Sequence, residues 1–180
     1  MTKMATIIDG FARAYPMFIV LYSFMNGLLN NDEENLLFGF FLLGADVLNN
    51  ILKRGVFRPL MGNKNIPILG YGCRPAKSAN TGLFKDNTLS KTYGMPSGHA
   101  QISWMFTIYW SMKIWNDRER SDASKMIPIL ILLFFSVSVT YSRVFWAKCH
   151  TIQQVVVGAL IGIGLGVFSY HTLASKKALR

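Results

Sequence analysis

Hydrophobic residues in this chain fall into five long runs, separated by polar connections. The first covers about residues 11–29, with Arg13 near its start and Asp32 just beyond it. The second covers about 35–52, the third 99–115, the fourth 126–141 and the fifth 151–173. Runs of this length and apolarity predict membrane-spanning helices. Several are near the short end for a span, which implies tilt or local thinning of the bilayer. No small-residue cleavage site follows the first run, so it reads as an anchor and not a leader. A soluble all-helical core is the competing reading, and the hydropathy disfavours it. The predicted fold is therefore all-α: an integral membrane bundle of about five transmembrane helices. It forms a single domain over residues 1–180, with its core at about 36–173.

The connections differ in character. Residues 53–95 show no sustained period and hold much of the positive charge: Lys53, Arg54, Arg58, Lys64, Arg74, Lys77, Lys85 and Lys91. A connection that long tends to be functional or disordered. The loop "NDRERSDASK" mixes both signs and reads as a solvated turn. Counting crossings places the long basic loop and the stretch from Arg143 to His150 at one membrane face. The acidic turn "NDEE", the mixed loop and the tail "SKKALR" fall at the other. In the fifth run Gly158, Gly162 and Gly166 are spaced four apart on one face, a pattern for close helix packing.

Composition sharpens this picture. Hydrophobic residues make up 51% and charged residues only 16%, yet the net charge is +10. Such a balance suits an anionic lipid or anionic substrate. Nucleic acid is the weakest partner, because no basic stripe runs along a helix. The two cysteines, Cys73 and Cys149, form neither a disulfide framework nor a metal-type spacing. Cys149 lacks an Arg five residues later, so a cysteine-phosphatase reading fails and a packing role is favoured.

Two of the three histidines sit at helix starts on the basic face. In Pro96-Ser97-Gly98-His99, Pro96 fixes the entry and Ser97 is a good N-cap, while Gly98 allows a ligand near the backbone. Free N–H groups at a helix start bind anions. The bland alternative, an ordinary capped helix, accounts for Ser97 but not for Gly98-His99. In "TYSRVFWAKCHTIQQVVVG", Arg143 ends the fourth run and His150 begins the fifth. Arg offers a planar fork matched to phosphate, or simply snorkels to the interface. His150 and Gln154 are four apart and share a helix face. Gln154 can accept a hydrogen bond from one imidazole nitrogen and leave the other to attack. Two histidines among Arg and Lys suit phosphoryl transfer through a covalent intermediate. No acidic cluster suited to Mg²⁺ or Zn²⁺ lies near these residues, so a metal-independent mechanism with no cofactor is expected. His171 reads as interfacial.

These residues resemble the type 2 phosphatidic acid phosphatase superfamily. Its pattern joins a Lys with a later Arg-Pro, a Pro-Ser-Gly-His, and a Ser-Arg followed by His and Asp. Here Pro96-Ser97-Gly98-His99 is complete, and Ser142-Arg143 with His150 supplies the third part. "YGMPSGHAQ" and the Gln at 154 look most like the dolichyl diphosphatase branch, and the resemblance covers roughly residues 48–158. It implies hydrolysis of a lipid phosphate or polyprenyl diphosphate, and an internal membrane such as the endoplasmic reticulum. It also implies His150 as nucleophile, His99 as general acid, and Lys53, Arg74 and Arg143 as phosphate ligands helped by Ser97 and Gly98.

Three departures stand out. Neither Arg58-Pro59 nor Arg74-Pro75 has the usual separation from Lys53; Arg74 is favoured and Arg58 competes. Arg143 and His150 are one residue further apart than the family pattern, so a bulge or turn must absorb it. Gln154 replaces the usual Asp. Asp46, seven residues before Lys53, is a further candidate as an intramembrane acid; a structural Asp46 bonded to Asn49 or Asn50 is the alternative. A silent lipid-phosphate-binding protein and a small transporter remain competing functions.

Overall fold

The computed structural model describes residues 3–75 and 93–178. Lys77, Lys85 and Lys91 of the basic loop lie outside the described residues. Helix α1 runs Lys3–Leu29 and α2 Glu33–Ile51, and a π-helical turn Leu52–Phe57 leads into the short α3, Arg58–Met61. Strands β1 (Asn65–Ile66) and β2 (Gly70–Tyr71) form a small antiparallel hairpin, with Asn65 opposite Tyr71. Then come α4 (Gly98–Trp115), α5 (Asp122–Tyr141), a second π-helical turn Ser142–Trp146, and α6 (Ile152–Ala178). The architecture is an all-α membrane bundle, as the apolar runs predict.

Among the described residues, three of the five long helices are long and apolar enough to cross a membrane on their own composition: Glu33–Met61, Asp122–Trp146 and Ile152–Leu173. Helices α1 and α4 carry more polar positions than these three, each for a physical reason. Helix α4 is the centre of the bundle and packs against α1, α2, α5 and α6. Its inward positions are therefore polar where neighbours can satisfy them. Thr107 Oγ1 donates to Leu132 O at 3.1 Å, and Ser136 Oγ donates to Ser103 O at 3.0 Å. Trp104 Nε1 donates to Thr140 Oγ1 at 3.1 Å. Helix α1 carries Asp9, Arg13 and Pro16 in its first half. Outward positions elsewhere are apolar and exposed, such as Phe40, Ile127, Phe134 and Leu160, as hydrocarbon contact requires.

Glycines set the approach of α6 to α4. A Cβ on Gly158 would strike the carbonyl of Ser97, and one on Gly162 that of Gln101; one on Gly166 would lie 2.8 Å from Met105 O. Ser97, Gln101 and Met105 are four apart, so a line of glycines meets a line of carbonyls. That contact brings the start of α6 against the start of α4. In the long connection the π turn extends α2 past Lys53, and the β1–β2 hairpin leads directly into residues 72–75.

Candidate active site

Local chemistry orients His150 unambiguously. The Gln154 side-chain nitrogen donates to Tyr71 O and to Cys73 O, each at 2.7 Å. Carbonyls only accept, so Oε1 is the Gln154 atom left to face His150 Nδ1, at 2.9 Å. An amide oxygen only accepts, so Nδ1 carries the proton and Nε2 holds a lone pair. Arg74 Nη1 lies 3.5 Å from that Nε2, and a guanidinium only donates, which requires the same tautomer. The Arg74 contact is long for a hydrogen bond and easily exchanged for a better acceptor. Arg74 Nη1 also donates to Cys149 O at 3.5 Å.

Burial, then the neighbouring Arg74 and Arg143 charges, hold the His150 imidazole well below its ordinary pKa, against the opposing bond from Gln154. Burial likewise pulls Arg74 down from the usual guanidinium range. Both directions have burial as their first cause, and the Arg143 charge adds to each.

The extra residue between Arg143 and His150 is taken up locally. Ala147 N donates to Ser142 O at 2.8 Å, a bond of the π-helical kind. Cys149 N and His150 N then both donate to Arg143 O, at 3.1 and 3.2 Å, and Lys148 adopts a positive φ of 49°. Single π turns recur at functional sites because they redirect side chains without ending the helix. Arg143 itself is fully buried. Lys53 sits in the other π turn, buried, within electrostatic reach of Arg74 and Arg143.

The Pro-Ser-Gly-His turn, entered through a cis Met95–Pro96 bond, is held to α6 by Ser97 N donating to Gln154 O at 3.0 Å. Ser97 occupies the N-cap position, but its hydroxyl does not close the cap. Ser97 Oγ is buried and has no hydrogen-bond partner among the described residues. The expected capping role is thus replaced by an unengaged hydroxyl beside first-turn N–H groups that have no acceptor within the helix. Gly98 has a packing reason: a Cβ there would lie 3.1 Å from Asn49 Oδ1.

His99 stands one residue on, with Nε2 donating to the main-chain carbonyl of Arg13 at 3.2 Å. It feels the charges of Arg143, Arg74 and Lys53, so both histidines share one electrostatic environment. Arg58 is exposed on α3; of the two Arg-Pro arginines, it is Arg74 that reaches His150. Asp46 is exposed, and Asn50 Nδ2 donates to its main-chain carbonyl at 3.0 Å, not to its carboxylate. Among the described residues, no three His, Cys, Asp or Glu side chains gather into a metal-ligating group.

Residue patterns alone miss two supports. Asn49 Nδ2 donates to Gln101 Oε1 at 2.8 Å, and Gln101 Nε2 donates to Ala45 O at 2.8 Å. This buried amide pair ties α2 to α4 just behind the Pro-Ser-Gly-His turn; two buried amides on apolar helices were the available signal. The other is the Asp9–Arg13 pair of α1, with Arg13 Nη2 2.7 Å from Asp9 Oδ2. Asp9 Oδ1 in turn accepts from Ser142 Oγ at 3.5 Å.

A sequence model of the PAP2 superfamily matches residues 34–178. Over 86 residues the chain is 39% identical to dolichyldiphosphatase 1 of Dictyostelium discoideum, covering 46% of this chain and 37% of that one. Over 148 residues it is 25% identical to dolichyldiphosphatase of Saccharomyces cerevisiae, covering 82% and 55%. Over 77 residues it is 31% identical to dolichyldiphosphatase 1 of Homo sapiens, covering 39% and 32%. The matches thus span from about a third to just over half of these relatives' lengths. No solved structure matches.

Proposed function

The chain belongs to the PAP2 superfamily, and from that premise we propose that it hydrolyses a lipid phosphate or diphosphate in the membrane, with a polyprenyl diphosphate such as dolichyl diphosphate as substrate. The observation that carries this reading is the orientation of His150: Nδ1–H engaged by Gln154, Nε2 bare of hydrogen and facing Arg74. An imidazole held that way is a nucleophile whose lone pair points into a cationic pocket.

In the first step His150 Nε2 forms a bond to phosphorus as the bond from phosphorus to the leaving oxygen breaks. His99 gives that oxygen a proton. In the second step water attacks phosphorus, His99 takes the water's proton, and the bond to His150 breaks with release of inorganic phosphate. Arg74, Arg143 and Lys53 stabilise the equatorial oxygens as charge shifts among them. The Ser97 hydroxyl and the start of α4 add neutral donors.

The dolichyl substrate is favoured by the names of the relatives and by the shape of the bundle. An apolar groove of about 370 Å³ between α2, α4 and α6 is lined by Phe41, Ala45, Leu48, Met105 and Leu165, among others. Leu48 in its lining directly precedes Asn49 and comes five residues before Lys53 of the π turn. An isoprenoid chain can lie there with its phosphates at the basic face.

The test is release of inorganic phosphate by the purified protein in detergent, with EDTA present. Polyprenyl diphosphate, polyprenyl monophosphate and phosphatidate should be compared. The expected result is turnover fastest on the diphosphate and lost in His150→Ala. Phosphate-analogue binding without turnover of any of the three lipids would refute the enzymatic reading.

A further inference from the structure

We infer that α1, which lies ahead of the family-matched segment, is a working part of the active site: the turn at Asp9–Arg13 positions the proton donor His99. This rests on the phosphatase reading above and adds to it a helix outside the matched residues.

The contact is specific. His99 Nε2 donates to the main-chain carbonyl of Arg13 at 3.2 Å. A carbonyl has no proton to give, so Nε2–H is fixed as donor whether the imidazole is neutral or charged. The transferable proton is then the one on Nδ1. The same bond stabilises the imidazolium, because an acceptor on the far nitrogen favours the charged ring. The two histidines thus work through opposite nitrogens: His150 through Nε2, His99 through Nδ1.

A main-chain carbonyl is only as well placed as its helix. Ala12, Tyr15 and Ile19 are nearly completely buried and form the inward stripe of α1. Tyr15 stacks on Phe135 of α5 with ring centroids 6.0 Å apart. Next to the carbonyl, Asp9 Oδ2 receives Arg13 Nε and Nη2 at 2.8 and 2.7 Å, while Asp9 Oδ1 accepts from Ser142 Oγ at 3.5 Å. Asp9 therefore joins the turn that presents Arg13 O to the residue preceding Arg143. Asp9 and Arg13 are positioning residues, acting through His99; neither is assigned a contact with substrate.

General-acid positioning has a signature that fold damage lacks: dependence on how basic the leaving group is. Phenyl phosphate needs protonation of its leaving oxygen much more than 4-nitrophenyl phosphate does. The experiment measures kcat/KM for both esters with wild type, Asp9→Asn, Ala12→Leu, His99→Ala, and the double variants Asp9→Asn/His99→Ala and Ala12→Leu/His99→Ala. Asp9→Asn removes the charge that holds Arg13, and Ala12→Leu wedges the buried face of α1 outward; Ala12→Ser, of similar size, is the conservative control. His99→Ala should raise the nitrophenyl-to-phenyl ratio by about 10²-fold or more, the lower end of what a positioned general acid contributes. Asp9→Asn and Ala12→Leu should each raise it by about tenfold, a partial loss of the same effect, with Ala12→Ser near wild type. Neither should raise it further once His99 is gone. Equal losses on both esters, or a ratio that still rises in the His99→Ala background, would overturn the proposal. Absence of turnover in wild type on every ester and lipid would instead fault the phosphatase reading on which it rests.

Discussion

His150 Nδ1 and Gln154 Oε1 stand 2.9 Å apart, and the Gln154 nitrogen is committed to two carbonyls at 2.7 Å each. One amide thus sets the tautomer of His150 and anchors the segment that carries Arg74. This explains an amide where the family pattern has an acid: an Asp or Glu would face Tyr71 O and Cys73 O with nothing to donate.

Gln154→Glu is therefore expected to behave like Gln154→Ala and not like a gain of a catalytic carboxylate. Leaving buried acceptors unmatched costs about 1–3 kcal/mol, so each variant should lose roughly 10- to 100-fold in kcat/KM. Phosphate release on the diphosphate substrate checks it. A Gln154→Glu enzyme faster than wild type would contradict the orientation of the amide.

The two Arg-Pro arginines should separate cleanly. Arg74→Ala removes a donor 3.5 Å from His150 Nε2 and should lower kcat about 10²–10³-fold, as loss of one transition-state donor does. Arg58 is exposed on α3, and Arg58→Ala should stay within about threefold of wild type, as surface substitutions do. Steady-state kinetics of the two variants under the same conditions decide between them; a larger loss at Arg58 would reverse the assignment.

The acid limb of the kcat/KM profile should lie below pH 6.5, the ordinary imidazole value. Burial and the neighbouring arginines depress His150, so its neutral, nucleophilic form persists as the pH falls. The linkage has the same sign. The folded state resists protonating His150, so the unfolded state binds more protons between the depressed value and about 6.5, and stability falls as pH drops through that window. A wild-type acid limb at or above pH 6.5 would contradict this.

The hydrophobic runs announced the helices because lipid-facing stripes leave a strong compositional trace. Gly158, Gly162 and Gly166 announced the α4–α6 contact because only glycine tolerates carbonyls that close. Pro-Ser-Gly-His and Ser-Arg…His were equally legible, since their chemistry is local. Arg74 could not be separated from Arg58 by spacing alone, because the π turn and the hairpin that deliver it depend on contacts across the bundle. Asn49, Gln101 and the Asp9–Arg13 turn stayed hidden for the same reason. Each acts through a partner dozens of residues away, and α4 hid its central place by being less apolar than its neighbours.

The central claim is that His150 becomes phosphorylated. Radiolabel in the terminal phosphate of polyprenyl diphosphate, rapid denaturing quench and peptide mapping test it directly. The predicted result is an acid-labile, alkali-stable label on the peptide containing His150, formed during turnover and absent from His150→Ala. Turnover by the wild type with no label on that peptide, or undiminished labelling in His150→Ala, would contradict it.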